Sequence, residues 1–266
     1  MPRMRRGEEE RALIEGQGPE FLEVLARGLK IIALFSAERR QMTLSELAQV
    51  AGAPRSSVRR VLLTLEKLGF AEQEGRYFRL TPRILMLAAA YLASNPISSV
   101  LQPIVDRISR QTQESCSAAV LDRDEAVMVV RAIPTRIITV GLEVGYRLPA
   151  YASAVGRVLL GGLDDTGLDA YLARIEPQKH TPSTVTDKAV LRAMVVIDRA
   201  QGYSLVDQEA EPGFRSIAVP VRRQSGGMIC ALHIGLHAER ASIGRLLEEF
   251  LPLLTSGARE ASQLIV

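Results

Sequence analysis

The chain has 266 residues, of which 47% are hydrophobic and 24% charged, a composition typical of a globular protein with room for two domains. Its two cysteines, Cys116 and Cys230, are too far apart for a CxxC zinc motif or a disulfide framework, so we expect buried thiols. The net charge is only +3, but residues 54–83 hold seven basic and three acidic residues. A local basic excess of this kind is expected of a surface that contacts phosphates.

Neither a secretory signal nor a membrane span is predicted. The N-terminal sequence MPRMRRGEEER has acids after its basic residues, where a signal peptide would have an apolar run. The longest charge-free apolar stretch, residues 84–105, contains Pro96 and Pro103. We therefore expect a cytoplasmic protein that does not enter a membrane and that has a flexible tail over residues 1–18.

Two helices are predicted before residue 53. The first is expected over residues 19–37, because Pro19 suits a first helical turn. Its apolar residues repeat at helical spacing and are expected to face the core: Phe21, Leu25, Leu29 and Ile32. The second helix is expected to begin at a capping box formed by Thr43 and Glu46 and to end at Gly52.

A third helix is predicted from Pro54, in the sequence PRSSVRRVLLTLEKLG. Its apolar residues recur every three or four positions and predict a buried face: Val58, Val61 or Leu62, Leu65 and Leu68. The other residues of its first turns carry donors and are expected to point outward: Arg55, Ser56, Ser57, Arg59 and Arg60. Two short helices joined at a glycine predict a helix-turn-helix, whose second helix enters the DNA major groove. Arginine and serine donors suit base edges and phosphates there, so we include Thr43 and Pro54 in the predicted interface.

A two-stranded wing is predicted after Gly69. The sequence FAEQEGRYFRL alternates in polarity and turns at Glu74-Gly75, and its strands carry Arg76 and Arg79, which complete the predicted DNA contacts. Residues 19–81 thus predict a winged helix-turn-helix domain. An αα-hairpin whose basic surface never contacts DNA would share the pattern, and this alternative stays open on the pattern alone.

Residues 82–96 predict a linker helix that is apolar on nearly every side, capped at Thr81 and stopped by Pro96. Such a helix must be covered, either by the second domain or by its twin in another subunit.

Residues 97–266 predict a mixed α+β domain with antiparallel strands. The expected helices cover residues 99–113, 151–163, 165–175 and 187–202, followed by a final helix from about 242 with a break near Pro252. The expected strands are two runs around the turn at 122–124, then 136–145, 203–207, 215–221 and 228–236.

An enzyme is the first rival interpretation. Ser153 precedes a helix, but it lacks the flanking glycines of a nucleophile elbow. The three histidines have no evident acid partner in the sequence: His180, His233 and His237. No glycine pattern for a nucleotide cofactor is present. We therefore expect no catalysis and no cofactor, and a ligand-free architectural protein remains the second rival.

A metal site is also weighed and not predicted. The alternating acids Asp207, Glu209 and Glu211 could join a histidine as ligands. Acids in such a loop more often cap helices or pair with arginines, for example Arg215.

Several segments together resemble the IclR family of bacterial transcriptional regulators, over nearly the whole chain from about Glu20. They are MTLSELAQVAGAPRSSVRRVLLTLEKLGFAEQEGRYFRLTPRILMLAAAYL, RLPAYASAVGRVLLGGL and GYSLVDQEAEPGFRSIAVPVRRQSGGMICALHIGLHA. The sequence ARGL in the first helix, and GYSLVDQE followed by GFRSIAVPV, are typical of the branch that controls protocatechuate and 4-hydroxybenzoate catabolism. The resemblance implies a GAF-like effector domain with a curved antiparallel sheet. It also implies a homodimer or dimer of dimers, joined through the DNA-binding domain and linker helix, on a pseudo-palindromic operator.

The resemblance further implies a pocket for a small carboxylic acid, aromatic in this branch or, as the alternative, aliphatic. Backbone amides at the helix start after Ser153 match the family segment that binds the effector carboxyl group. Ser216 falls at a pocket position of the family, and His233 could bond a ring hydroxyl or be a core histidine. The predicted effector-binding residues are Ser153, Ala154, Val155, Tyr151, Arg147, Asp207, Ser216 and His233.

Overall fold

The computed structural model of this chain describes residues 20–36, 38–94, 97–134 and 144–265. The tail predicted over 1–18, and most of the strand predicted over 136–145, lie outside these residues. The chain divides into two compact units, Met1–Tyr91 and Leu92–Val266. The finer division predicted from the sequence, with a separate linker over 82–96, stays a prediction.

The first unit combines helices with a small antiparallel sheet in the order β1-β3-β2. Its elements are α1 (Glu23–Ile32), β1 (Met42–Thr43), α2 (Leu44–Ala51), α3 (Arg55–Lys67), β2 (Ala71–Glu74), β3 (Tyr77–Leu80), a 3-10 turn (Pro82–Ile84) and most of α4 (Leu85–Ser94). One apolar cluster joins the three helices to the sheet: Ile31, Leu47, Val58, Leu62 and Phe78 belong to it. The predicted winged helix-turn-helix is therefore present, with β1 as an additional strand.

Helix α1 is shorter than predicted and buries a different residue. It ends at Ile32, where Leu34 donates to the Ile31 carbonyl in a tight turn, and Ser36 and Arg39 then exchange two backbone hydrogen bonds. Three residues predicted to lie in the core are exposed: Phe21, Leu25 and Leu29. Ile31 is the one residue of this helix that is fully buried.

The capping box predicted for α2 is confirmed, and so is the buried face predicted for α3, apart from Leu68. Glu46 N–H donates to Thr43 Oγ1 at 3.3 Å, Thr43 N–H donates to Glu46 Oε2 at 2.7 Å, and Gly52 has a φ of +65°. Pro54 is the N-cap of α3 and not a residue of its first turn. Leu68, predicted to be buried, lies beyond the last residue of α3 and is 53% exposed.

The second unit is built on a six-stranded antiparallel sheet in the order β6-β5-β4-β9-β8-β7. Its strands are β4 (Ser115–Asp122), β5 (Glu125–Ala132), β6 (Arg147–Pro149), β7 (Ser204–Asp207), β8 (Phe214–Arg222) and β9 (Met228–His237). Its helices are α5 (Ile97–Thr112), α6 (Ala154–Leu160), α7 (Asp165–Arg174), α8 (Lys188–Gln201), α9 (Ile243–Arg245) and α10 (Leu251–Leu264). The predicted α+β class is confirmed.

The two faces of this sheet have different partners. Helices α5 and α10 pack on one face, which carries Cys116, Leu232 and Ile234. Helix α6 packs on the other face, against β8 and β9. Both cysteines are buried and free as predicted, and burial raises the pKa of each thiol to about 12.

The predicted break in the final helix is confirmed. Ser242 caps α9, a π-helical turn follows over Leu246–Phe250, and Pro252 lies in the first turn of α10. Within the described ranges, no single helix is both long enough and apolar enough to span a bilayer.

Candidate DNA interface and effector cavity

A groove in the first unit lies where the start of α2, the first turns of α3 and the wing meet. The residues that line it are Thr43, Leu44, Ser45, Arg55, Arg59, Leu63, Gln73, Arg76 and Phe78. Four of the predicted DNA contacts are thus brought together, namely Thr43, Arg55, Arg59 and Arg76. Pro54 and Arg55 line an adjoining recess beside Gly52.

The arginines of this region differ in whether an acid neutralises them. Arg55, Arg59 and Arg60 are exposed and form no ion pair with any residue that the structure describes. Arg79, in contrast, contacts Glu72 at 2.7 Å and Glu74 at 3.5 Å. Unpaired cations on one helix attract DNA phosphates more strongly than a neutralised arginine does.

The remaining predicted contacts lie around the groove. Ser56 is exposed and Ser57 is half-buried, both in the first turn of α3. Arg76 donates to the Tyr77 hydroxyl at 3.0 Å, which raises the pKa of its guanidinium. Ser45 and Gln73 were not predicted. The available signal for Ser45 was its place in the first turn of α2, where helix amides favour phosphate.

The second unit contains a cavity of about 60 Å³. Its walls come from five strands of the sheet, the segment before β6 and the loop between β7 and β8: Ser115, Met128, Arg131, Tyr146, Leu148, Ala210, Glu211, Phe214, His233 and Gly235. The walls combine apolar groups with a few polar ones, as in many ligand sites.

Strand register aligns three polar side chains across the sheet. Arg131 on β5 pairs with Ser117 on β4, and Ser117 pairs with His233 on β9. Paired residues in a sheet project from the same face, so these three side chains form a row, which we call the polar row. With strands about 4.8 Å apart, the backbones of Arg131 and His233 lie about 10 Å from each other.

Four side-chain atoms of the polar row are buried and lack partners. Arg131 Nε, Ser117 Oγ and both ring nitrogens of His233 have no hydrogen-bond partner among the described residues. A buried polar group left unpaired costs about 1–3 kcal/mol, and native proteins pair nearly all of them. Three of these four atoms belong to residues that line the cavity, Arg131 and His233.

The ionisable groups that line the cavity are Arg131, Glu211, Tyr146 and His233. No carboxylate within the described part of the chain forms an ion pair with Arg131, and burial lowers the pKa of its guanidinium. Burial, together with the charge of Arg131, lowers the pKa of His233 to about 3, so its imidazole is neutral at pH 7. Burial and then Glu211 raise the pKa of Tyr146.

Among the predicted effector residues, His233 lines this cavity, and Ser153, Ala154, Val155 and Ser216 are not among its lining residues. Ala154 and Val155 begin α6 and share an apolar cluster with Met128 of the cavity wall. The Ser153 hydroxyl accepts from Gly156 N–H and donates to a backbone carbonyl, so it caps α6. Ser216 pairs with the wall residue Gly235 in the sheet.

The other three predicted effector residues contact different groups and do not line the cavity. Arg147 binds Glu125 and Asp122, each at 2.6 Å. The Tyr151 hydroxyl lies 2.9 Å from His180 Nε2 and donates to Gln178. Asp207 forms an ion pair with Arg215, as the arginine alternative predicted.

Family models match both units. The model for the IclR helix-turn-helix domain matches residues 24–75, and the model for the bacterial transcriptional regulator IclR C-terminal domain matches residues 89–263. The chain belongs to the IclR family.

Three similar proteins illustrate the relation of this IclR regulator to its family. The Pca regulon regulatory protein of Pseudomonas putida is 42% identical over 91% of this chain and 84% of its own length. A transcriptional regulator from Rhodococcus sp. RHA1 has a TM-score of 0.81 at 40% identity, over 91% of this chain and 98% of its own. An IclR homologue from Microbacterium hydrocarbonoxydans, crystallised with 4-hydroxybenzoate, has a TM-score of 0.78 at 25% identity, over 91% and 98%. The predicted family and branch are confirmed.

The protein is thus a ligand-responsive, DNA-binding transcriptional regulator of the IclR type and not an enzyme, as predicted. The first unit contains the IclR helix-turn-helix domain, and the second unit corresponds to the IclR C-terminal domain. Within the described residues, no three histidine, cysteine or acidic side chains are grouped closely enough to hold a metal ion.

Arg131 and Ser117 are candidate site residues that the sequence analysis missed. The available signal was a basic residue inside the apolar strand VMVVRAI and alternating serines in SCSAAV. In the sequence, both look like ordinary residues of strand ends. Only the strand register shows that they lie in one row with His233.

Proposed function

We propose that this IclR regulator senses a monocyclic hydroxybenzoate and controls genes for aromatic catabolism. The observation that carries the proposal is the unpaired polar row formed by Arg131, Ser117 and His233. The similarity to a Pca regulon regulatory protein, and to a homologue crystallised with 4-hydroxybenzoate, supports this effector class.

Each polar end of a hydroxybenzoate has a partner in this arrangement. The carboxylate binds the Arg131 guanidinium, because a cation without an acid partner strongly favours a charge-assisted hydrogen bond. The ring hydroxyl bonds His233, whose neutral imidazole can both donate and accept. The amides of Ala154 and Val155, and Ser216, remain proposed additional contacts, since the first amides of a helix have no intrahelical acceptor.

The proposed DNA-binding form is a homodimer or dimer of dimers on a pseudo-palindromic operator in the cytoplasm. Helix α4 supports this assembly because its apolar residues are exposed, although burying them in a twin helix would be favourable. The most exposed are Leu85, Met86, Leu87 and Tyr91. Eight residues remain proposed DNA contacts: Thr43, Pro54, Arg55, Ser56, Ser57, Arg59, Arg60 and Arg76. Arg79, the ninth residue predicted from the sequence, is expected to contribute little because Glu72 and Glu74 neutralise it.

The test of the effector site compares two arginines by calorimetric titration with 4-hydroxybenzoate. Arg131→Met should weaken binding about 10- to 100-fold, because a hydrogen bond to a charged group contributes about 1.5–3 kcal/mol. Arg147→Met is the matched control, since Arg147 pairs with acids at the sheet edge. The reverse result, with binding lost in the Arg147 variant only, would refute the proposed site.

The same titration distinguishes the effector classes. Benzoate, which lacks the hydroxyl, should bind more weakly than 4-hydroxybenzoate, since it leaves His233 unpaired. Tighter binding of a small aliphatic acid such as pyruvate would instead support the aliphatic alternative.

A further inference from the structure

The loop between β7 and β8, residues 208–213, forms one wall of the effector cavity through Ala210 and Glu211. Its own backbone is tightly turned. Gln208 has a φ of +60° and donates from its amide to the Phe214 carbonyl at 2.8 Å, while its side-chain oxygen accepts from Gly213 N–H at 3.1 Å. We call residues 208–213 the cavity loop.

A buried ion pair connects the cavity loop to α6. Glu209 immediately precedes Ala210, and its Oε2 lies 2.6 Å from Arg157 Nη2. The two side chains are only 9% and 1% exposed. Arg157 also donates from Nε to the Tyr151 carbonyl at 2.9 Å. Both members of the pair therefore have their polar atoms fixed inside the unit.

A second segment binds the same glutamate. Val185 N–H donates to Glu209 Oε2 at 3.2 Å, and Thr184 Oγ1 donates to the Glu209 carbonyl at 2.6 Å. Thr181 Oγ1 donates to the Gln208 carbonyl at 2.6 Å. The cavity loop is thus held by hydrogen bonds from two other parts of the chain, and none of these donors lines the cavity.

Stability alone does not account for this ion pair. Replacing a buried ion pair by apolar groups of similar volume is often neutral or stabilising, because the desolvation of both charges offsets their attraction. An ion pair does, however, impose a specific geometry, and a preorganised binding site has a higher affinity than one that must be ordered by its ligand.

We propose that Arg157 and Glu209 are positioning residues for the effector: their ion pair holds the cavity loop in its binding geometry without either residue touching the ligand. This inference rests on the proposed function, because it assumes that the effector occupies the cavity beside Ala210 and Glu211. Loss of the pair lets the loop fluctuate, and the effector must then order it on binding.

The test uses the full-length protein with the double substitution Arg157→Met and Glu209→Met, together with Thr184→Val. The double variant removes both charges, and Thr184→Val removes one hydrogen bond to the loop at nearly constant volume. Thr112→Val is the matched control, because Thr112 is buried to the same 6% exposure and its hydroxyl donates to the Ile108 carbonyl and accepts from Glu114 N–H, with no bond to the cavity loop. If the double variant does not fold, Thr184→Val still tests the loop.

Two readouts are compared with wild type. Hydrogen exchange of residues 208–214, measured without ligand, should be at least tenfold faster in the double variant and several-fold faster in Thr184→Val. The Kd for 4-hydroxybenzoate should rise at least tenfold in the double variant and about threefold in Thr184→Val, with thermal unfolding of both variants still cooperative. The Thr112→Val protein should match wild type in the exchange rate of the loop and in the Kd.

The outcomes separate this inference from the proposed function. Unchanged exchange in the loop would overturn the positioning role, whether or not the effector binds. Faster exchange with an unchanged Kd would show that the loop geometry does not set affinity, and would also overturn it. If wild type binds no hydroxybenzoate, or if Arg131→Met binds it normally, the proposed function is wrong. The claim that the ion pair positions the loop for this effector is then also wrong.

Discussion

His233 is a buried neutral base, and its protonation links folding to pH. Its pKa is lowered from 6.5 to about 3 by burial and by Arg131. Between pH 6.5 and pH 3 the unfolded chain therefore binds a proton at this residue that the folded chain does not bind. The contribution of His233 to stability is complete above pH 6.5 and decreases as the pH falls toward 3, by at most about 1.4 kcal/mol per pH unit.

His233→Gln should reduce this pH dependence, because an amide does not titrate in this range. The measurement is urea unfolding of the effector domain at pH 4, 5, 6 and 7 for wild type and variant. We expect the free energy of unfolding to fall less steeply with decreasing pH in the variant. Equal slopes would show that His233 is not held neutral by burial in the folded protein.

Helix α3 has a buried apolar side and an exposed basic side. Its buried residues lie on one side, and Arg55, Arg59 and Arg60 remain exposed and without acid partners in the described part of the unit. The wing contributes Arg76 to the same groove, whereas Arg79 is neutralised by glutamates of β2. Whether an arginine can attract DNA therefore depends more on the acids around it than on the helix or strand that carries it.

Arg59→Ala should weaken binding to a DNA duplex that wild type has selected from a random library, by about 1–3 kcal/mol if Arg59 reads a base. Arg79→Ala, the matched control from the wing, should change binding much less, because its charge is already balanced. Binding is measured by fluorescence anisotropy at several salt concentrations. A larger loss in the Arg79 variant would contradict the assignment of the groove.

At the scale of the whole molecule, the exposed apolar faces of α1 and α4 predict association. Leu85 is 64% exposed and lies at the start of α4. Exposed apolar residues of this number are uncommon unless another surface covers them. We therefore expect the protein to have a mass in solution of at least twice the 29.1 kDa of one chain.

Leu85→Glu should shift the protein toward a monomer in light scattering and weaken operator binding, while leaving 4-hydroxybenzoate affinity unchanged. The matched control is Leu264→Glu, since Leu264 is similarly exposed, at 57%, but lies at the end of α10. A wild-type protein that is monomeric at micromolar concentration would exclude the proposed dimer.

Several features of the fold followed from residues close together in sequence. The capping box of Thr43 and Glu46, the turn at Gly52 and the buried face of α3 depend on neighbouring residues, and the structure has them. The face of α1 was predicted wrongly because helical spacing shows only that a helix has an apolar side. Whether that side is covered depends on elements elsewhere in the chain.

The amino-acid sequence by itself determined the family, the winged helix-turn-helix and the basic first turns of α3, because periodicity, capping and local charge act within a few residues. Only the tertiary structure decided which residues form the effector site. More than 100 residues separate Ser117 from His233, and their pairing is set by the register of β4 against β9. The partners of Arg147, Tyr151 and Asp207 were decided in the same way, since burial and hydrogen bonding between distant segments depend on the packed sheet.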